Sequence, residues 1–222
     1  MKAIFSKRAF FMNMINDMDP KLVVKLHESN NTIKPYSISV IQRRSSPEIL
    51  FKITLFTEDI SDKLLKYLLS LQDLSIEIQH QKLTLIKIKH EQIPFEGFIK
   101  SARKIAKFQI QFKRPTYFNM MGKPFGLRFP LPEYVFGNLI KTWNAFAPIG
   151  CTAPAEDLIP WVQKNVFMSS YNLRTKQLNI GKQQPEAGCT GWATYIVKDH
   201  DNNLSSWLDI LLRFGEISNI GG

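Results

Sequence analysis

Apolar positions recur at helical spacing through residues 8–28. Phe10, Phe11, Met14, Ile15 and Met18 form one stripe, and Leu22, Val23 and Leu26 a second. Between them, Asp19-Pro20 predicts that one helix stops and another starts. Asp caps a helix by accepting its first backbone N–H groups, and Pro lacks only an N–H that the first helical residue does not use. His27 falls at the end of the second piece, beside its apolar stripe, and Ser29-Asn30-Asn31-Thr32 is rich in turn formers. The period then changes to two. Residues 36–41 and 50–56 alternate as strands, joined by the basic loop Arg43-Arg44-Ser45-Ser46-Pro47. Asp59-Ile60-Ser61-Asp62 opens a helix to about Leu71, apolar at Leu64, Leu65, Leu68 and Leu69, and β stretches follow at 75–80 and 82–90. With Lys2 to Phe5 as a leading strand, this order becomes the split βαβ pattern called ferredoxin-like.

The second half repeats the order loosely. Residues 105–112 alternate as a strand, and Pro132 to Phe146 reads as a helix with apolar Val135, Leu139, Ile140 and Trp143. Asp157 to Val162 reads as a helical turn, Val166-Phe167, Leu178 to Ile180 and Trp192 to Val197 as strands, and Leu204 to Leu212 as a helix before a glycine-bearing tail. The expected architecture is α+β, with two tandem ferredoxin-like domains at residues 1–97 and 98–222. The halves share element order rather than residue identity.

Composition narrows the classes. At 222 residues, 44% hydrophobic and 12% aromatic, the chain can bury a core, which excludes wholesale disorder. The 29 Lys and Arg against 19 Asp and Glu give a net charge of +10, which favours polyanions as partners. No apolar run approaches the roughly 18–20 residues of a membrane span. Lys7 and Arg8 interrupt the apolar N-terminus, so it lacks a signal-peptide layout. Two cysteines, Cys151 and Cys189, cannot make a metal site, and reduced thiols in a cytoplasm are the default. No metal-binding, nucleotide-binding or hydrolase motif is present, so no cofactor is expected.

Charge is unevenly spread. No acid occurs from Gly97 to Pro132, where Lys100, Arg103, Lys104, Lys107, Lys113, Arg114, Lys123 and Arg128 lie, nor between Asp157 and Glu186, where Lys164, Arg174, Lys176 and Lys182 lie. Tyr117, Phe118, Phe125 and Tyr171 are interleaved with them. Cations that neutralise phosphates, alternating with rings that stack bases, point to nucleic acid. His80 and His90 flank a β stretch and read as surface residues. His200 lies in Asp199-His200-Asp201-Asn202-Asn203, which reads as a turn rather than a metal site.

Three ordered segments resemble the CRISPR-associated endoribonuclease family that processes repeat RNA into guide RNAs. The first is Pro20-Lys21-Leu22 with Leu26-His27-Glu28, then Lys34-Pro35-Tyr36-Ser37-Ile38-Ser39. The second is Phe112-Lys113-Arg114-Pro115-Thr116-Tyr117-Phe118, followed by Leu139 to Asn144. The third is Gly191-Trp192-Ala193-Thr194-Tyr195-Ile196, then Trp207 and the run from Leu211 to Gly222.

The resemblance implies two ferredoxin-like halves and metal-independent cleavage. In that reaction the ribose 2′-OH attacks the adjacent phosphate, leaving a 2′,3′-cyclic phosphate and a free 5′-OH. In the family a His at the end of the first helical region, a Lys shortly after it and an upstream Tyr share the proton transfers and charge stabilisation that this needs. His27 and Lys34 match the first two. Met12 stands where the Tyr would be. Either the His27–Lys34 pair suffices, or Tyr36 substitutes, or activity is weak. A helix C-terminus favours an imidazolium, which suits His27 to moving protons, and Lys34 across the turn could place an ammonium on the same phosphate.

The implied RNA contacts are Arg43, Arg44, Arg103, Lys104, Lys107, Lys113 and Arg114, then Arg174 and Lys176 in a hairpin, and Gly221 and Gly222 of a glycine-rich loop. Both ends look shortened relative to the family. The implied partner is CRISPR repeat RNA, with other Cas proteins of an effector complex and a second copy of the chain as candidates; no membrane contact is expected. The same double architecture also serves as a non-catalytic RNA-holding subunit, which is the alternative reading.

Overall fold

A computed structural model describes residues 3–28, 33–42, 48–70, 75–78, 81–119, 126–178 and 186–220. The chain forms two compact units, Met1–Gln92 and Ile93–Gly222.

In the first unit, helices α1 (Ala3–Met18) and α2 (Pro20–Glu28) precede strands β1 (Tyr36–Gln42) and β2 (Ile49–Leu55), helix α3 (Glu58–Ser70) and strands β3 (Ser75–Ile78) and β4 (Gln81–Thr84). The break between α1 and α2 follows the Asp-Pro logic. The Asp19 carboxylate accepts the backbone N–H groups of Lys21 and Leu22 at 3.1 and 3.3 Å. Both apolar stripes turn inward: Phe11, Met12, Met14, Ile15, Leu22 and Leu26 form one core with Ile60 and Leu64 of α3. The antiparallel β1–β2 pair, in register Tyr36↔Leu55 and Ile38↔Ile53, packs these four side chains against that core. Leu69 is 69% exposed, because α3 buries Ile60 and Leu64 instead of the whole leucine series.

Three expectations change here. Residues 3–5 are the start of α1 and not a strand. The last β stretch is confined to Gln81–Thr84, and residues 85–94 have no regular structure. A six-residue helix, α4 (Phe95–Lys100), opens the second unit, too short for its periodicity to stand out in the sequence.

The second unit continues with β5 (Lys107–Thr116), α5 (Pro132–Phe146), α6 (Ala155–Asn165), β6 (Val166–Leu178), β7 (Glu186–Val197) and α7 (Ser205–Ser218). The strands form an antiparallel sheet in the order β5-β7-β6. The two short strands expected at 166–167 and 178–180 are ends of one 13-residue strand, with Asn179 and Ile180 outside the described residues. The polar run between those ends hid the strand, because β6 buries only Val166 among its described side chains, while β7 supplies Ala193, Tyr195 and Val197 to the core. Likewise α7 continues through Gly215 to Ser218, six residues past the expected end.

Trp143 organises the core of this unit. It is fully buried, meets Phe95, Phe98, Trp207 and Phe214 edge-on at centroid distances of 4.7–6.1 Å, and donates Nε1–H to the Cys151 carbonyl at 2.7 Å. The next residue, Asn144, exchanges two hydrogen bonds with the Ala153 backbone, so the α5–α6 connection is held by consecutive side chains. Edge-to-face ring pairs and a satisfied indole are the arrangement that lets so many aromatics share one core.

Gly191 carries φ +121°, and a Cβ there would lie 1.9 Å from the Asn172 carbonyl oxygen. Gly191→Ala should therefore lower stability by roughly 2–4 kcal/mol, read as a fall in melting temperature of the order of 5–15 °C. Tyr195 is fully buried and donates its hydroxyl to the Pro130 carbonyl at 2.7 Å; burial raises its pKa above the usual 10.0. The folded state thus prefers the neutral phenol, and this contribution is complete below pH 10 and declines above it. Tyr195→Phe should cost about 1–3 kcal/mol at neutral pH and lessen the loss of stability that denaturant titrations record above pH 10.

Candidate functional site

The C-terminal turn of α2 and the start of β1 form the candidate reaction site. Helix α2 ends at Glu28, so its last carbonyls have no helical N–H partners. Lys34 supplies one: its ammonium donates to the Leu26 carbonyl oxygen at 3.0 Å. A cation here is favoured by the negative end of the helix dipole. The other side of Lys34 is fixed too, since Phe56 N–H donates to the Pro35 carbonyl at 3.0 Å and extends the β1–β2 ladder. The result is a positive charge at the peptide that joins Leu26 to His27. The backbone of His27 belongs to α2, while its imidazole lies outside the described residues. Tyr36 is partly buried, its ring packed on Phe11 with centroids 4.8 Å apart. Met12, 6% exposed, belongs to the core and not to any surface.

The expected basic contacts separate into groups. On β5, register is lost between Phe112 and Thr116, so exposed Lys113 and Arg114 project where the ladder is irregular. Across β7, Phe112 aligns with Gly191 and Leu173, and Thr116 with Cys189 and Thr175. Exposed Arg174 lies between those two rows, and exposed Lys176 one step beyond. Lys113, Arg114, Arg174 and Lys176 thus gather at the hairpin end of one sheet. Lys107 starts β5, about 20 Å away along the strand.

Arg103 and Lys104 precede β5. The Arg103 N–H is held by Asp209 at 3.1 Å, and the Lys104 ammonium donates to the Asp201 carbonyl, so the latter charge is partly engaged by the protein itself. Asp209 also pairs with Arg213 at 3.1 Å, which reaches Ser101 and the Phe98 carbonyl. Asp209 and Arg213 are an i,i+4 pair on α7, but their contacts to Arg103, Ser101 and Phe98 span 106–115 residues and carry no sequence signal. Arg43, Arg44, Gly221 and Gly222, with Lys123, Phe125 and Lys182, lie outside the described residues.

Other candidates lose ground. Cys151 and Cys189 are free and buried; burial pushes both thiols up, helped at Cys151 by the Glu96 carboxylate, so neither resembles a reactive thiolate. The 199–204 segment is a turn tied by Asn202 to Asp199 at 3.1 Å and by Leu204 N–H to Asn202 at 2.9 Å. His200 is about half exposed, 3.8 Å from the Asp201 carboxylate. An open cleft of about 460 Å³ lined by Met18, Asp19, Lys63, Lys66, Tyr67 and Ser70 lies at the start of α2, the end away from His27. Among the described residues, no helix is long and apolar enough to cross a membrane.

The fold has counterparts among solved structures. The fold matches that of the Cas6 (TTHB231) product complex at TM-score 0.77 and 19% identity, over 98% of this chain and 87% of that one. It matches the Cas6 (TTHA0078) product complex at 0.76 and 18%, over 98% and 87%. Thermus thermophilus Cas6 (TTHB231) gives 0.71 and 19%, over 97% and 85%. The shared architecture is the α+β, double ferredoxin-like fold. No curated protein sequence is significantly similar to the chain. Residues 110–222, just over half of the chain, match the protein-family model of CRISPR-associated endoribonuclease Cas6. These residues hold the β5 irregularity, the β6–β7 hairpin and α7, and by that match the chain belongs to the CRISPR-associated endoribonuclease Cas6 family.

Proposed function

We propose that this protein cleaves CRISPR repeat RNA at the α2–β1 site without a metal, by attack of a ribose 2′-OH on the adjacent phosphate. The observation that carries the reading is the Lys34 ammonium, seated 3.0 Å from the Leu26 carbonyl at the helix end that bears His27. The reaction takes a proton from the 2′-OH, gives one to the departing 5′-oxygen and concentrates negative charge on the phosphorane between. His27 transfers protons. Lys34, held at the helix end by its bond to Leu26, places its positive charge where it stabilises the phosphate oxygens. The products are a 2′,3′-cyclic phosphate and a 5′-OH. Tyr36 acts through packing on Phe11, which steadies the β1 start that carries Lys34.

RNA is held by Lys113, Arg114, Arg174 and Lys176, whose charges gather at the irregular β5 segment and the hairpin. Arg103, Lys104 and Lys107 add to the field from the far end of β5, and Arg43, Arg44, Gly221 and Gly222 add contacts from outside the described residues. The division of the chain into two compact units assigns the chemistry to the first and most of the RNA grip to the second.

His27→Ala should slow single-turnover cleavage of cognate repeat RNA by about 10²–10⁴-fold with affinity retained, and Lys34→Gln by about 10²–10³-fold. Excess chelator should leave the wild-type rate unchanged, and mass spectrometry of the fragments should find cyclic phosphate ends. Wild-type rates in His27→Ala, or linear 3′-hydroxyl ends, would overturn the assignment; intact RNA that stays tightly bound to the wild-type chain would favour the non-catalytic reading.

Binding should weaken linearly in a plot of log affinity against log salt. Arg174→Ala should reduce the slope by about 1; a slope unaltered by that substitution would remove Arg174 from the phosphate contacts.

A further inference from the structure

Two aromatic rings on the second unit meet where water reaches both. Phe129 and Tyr171 touch edge to face, with centroids 5.4 Å apart and planes at 90°, and are 38% and 58% exposed. Single aromatics on a surface are ordinary. This pair differs because both backbones are fixed. Phe129 lies between Leu127, which exchanges hydrogen bonds of 2.8 and 2.9 Å with Phe118, and Pro130, whose carbonyl receives the Tyr195 hydroxyl at 2.7 Å. The Phe129 carbonyl itself accepts Leu131 N–H at 2.9 Å. Tyr171 sits mid-strand on β6, opposite Ala193. Rings held this way lose little freedom when something stacks on them.

The surroundings specify what would stack. Exposed Arg128 is the immediate neighbour of Phe129. Both rings lie in the two long stretches of chain that contain no Asp or Glu. β6 is an edge of its sheet, so a strand running along it can touch Tyr171 on one face and reach Arg174, about 10 Å further on, by the other. A phosphate backbone that passes these cations brings its bases to the rings, and base-on-ring stacking tolerates any sequence.

We propose that Phe129 and Tyr171 form a stacking clamp for one unpaired base of the bound RNA, with Tyr171 presenting the ring face and Phe129 buttressing it. The proposal rests on the RNA-binding reading above and adds a site at which single-stranded nucleotide, rather than phosphate alone, is gripped. Stacking of one base is worth about 1–3 kcal/mol, which corresponds to roughly 5- to 150-fold in affinity.

The test is fluorescence anisotropy of the full chain with repeat RNA and with a series in which each nucleotide in turn is made abasic. Wild type should lose about tenfold at one unpaired position. Tyr171→Ala should bind intact RNA about tenfold more weakly and show no added loss at that position, Phe129→Ala should weaken binding less, and Tyr171→Phe should match wild type. The clamp is overturned if Tyr171→Ala binds intact RNA like wild type, or keeps the abasic penalty at every position. It is also overturned, whatever the variants do, if no abasic position weakens the wild-type complex. Failure of wild type to bind repeat RNA at all would instead remove the underlying RNA reading.

Discussion

A lysine that closes the end of a helix sets the geometry of the whole N-terminal site. Lys34 and Leu26 are eight residues apart, yet the ammonium of one lies on the carbonyl of the other at 3.0 Å. The bond satisfies a helix carbonyl that α2 cannot satisfy itself, and it is strengthened by the charge of its donor and the dipole of its acceptor. On one side the α2 stripe of Leu22 and Leu26 is buried in the first unit's core; on the other the β1–β2 ladder continues past Tyr36 to Pro35. Two independently anchored elements are thereby joined at the last turn of α2, whose backbone includes His27. The same contact that helps stability delivers positive charge to the proposed site of chemistry.

The second unit applies a comparable economy. Trp143 draws Phe95, Phe98, Trp207 and Phe214 into one edge-to-face cluster behind the sheet. With the core settled there and in the β7 side chains Ala193, Tyr195 and Val197, β6 can extend as a ladder of backbone hydrogen bonds and devote most of its side chains to polar and cationic groups. Gly191 lets that ladder close where any side chain would strike the Asn172 carbonyl. A rigid hairpin with exposed Arg174 and Lys176 presents its charges in fixed positions, which keeps low the ordering cost of gripping a polyanion.

Much of this could be read from the sequence, for physical reasons. The α1–α2 break was legible because Asp-Pro is a chemical signal that acts locally, and α5 because Val135, Leu139, Ile140 and Trp143 keep a 3.6-residue period. The position of Lys34 at a strand start was legible; its bond to Leu26 was not, because periodicity says nothing about which carbonyl a flexible side chain finds. β6 was seen only at its ends, since the pattern of alternation fades where neither face needs an apolar residue. Residues 3–5 combined apolar character with proximity to a helix, and packing of α1 on the core decided for helix. The Asp209–Arg213 network and the Phe129–Tyr171 pair join segments far apart in the chain, so only the folded topology reveals them. The basic residues were legible as a set, whereas their separation into a hairpin group and a group before β5 follows from sheet register.

The most direct test of the central claim is a structure of the chain bound to repeat RNA blocked by a 2′-deoxy substitution at the cleavage position. The account predicts the scissile phosphate within hydrogen-bond reach, about 3 Å, of the Lys34 ammonium, with a His27 ring nitrogen facing the 2′ carbon or the 5′ oxygen. A phosphate bound elsewhere, or a His27 ring turned into the apolar packing around Leu22 and Leu26, would contradict it.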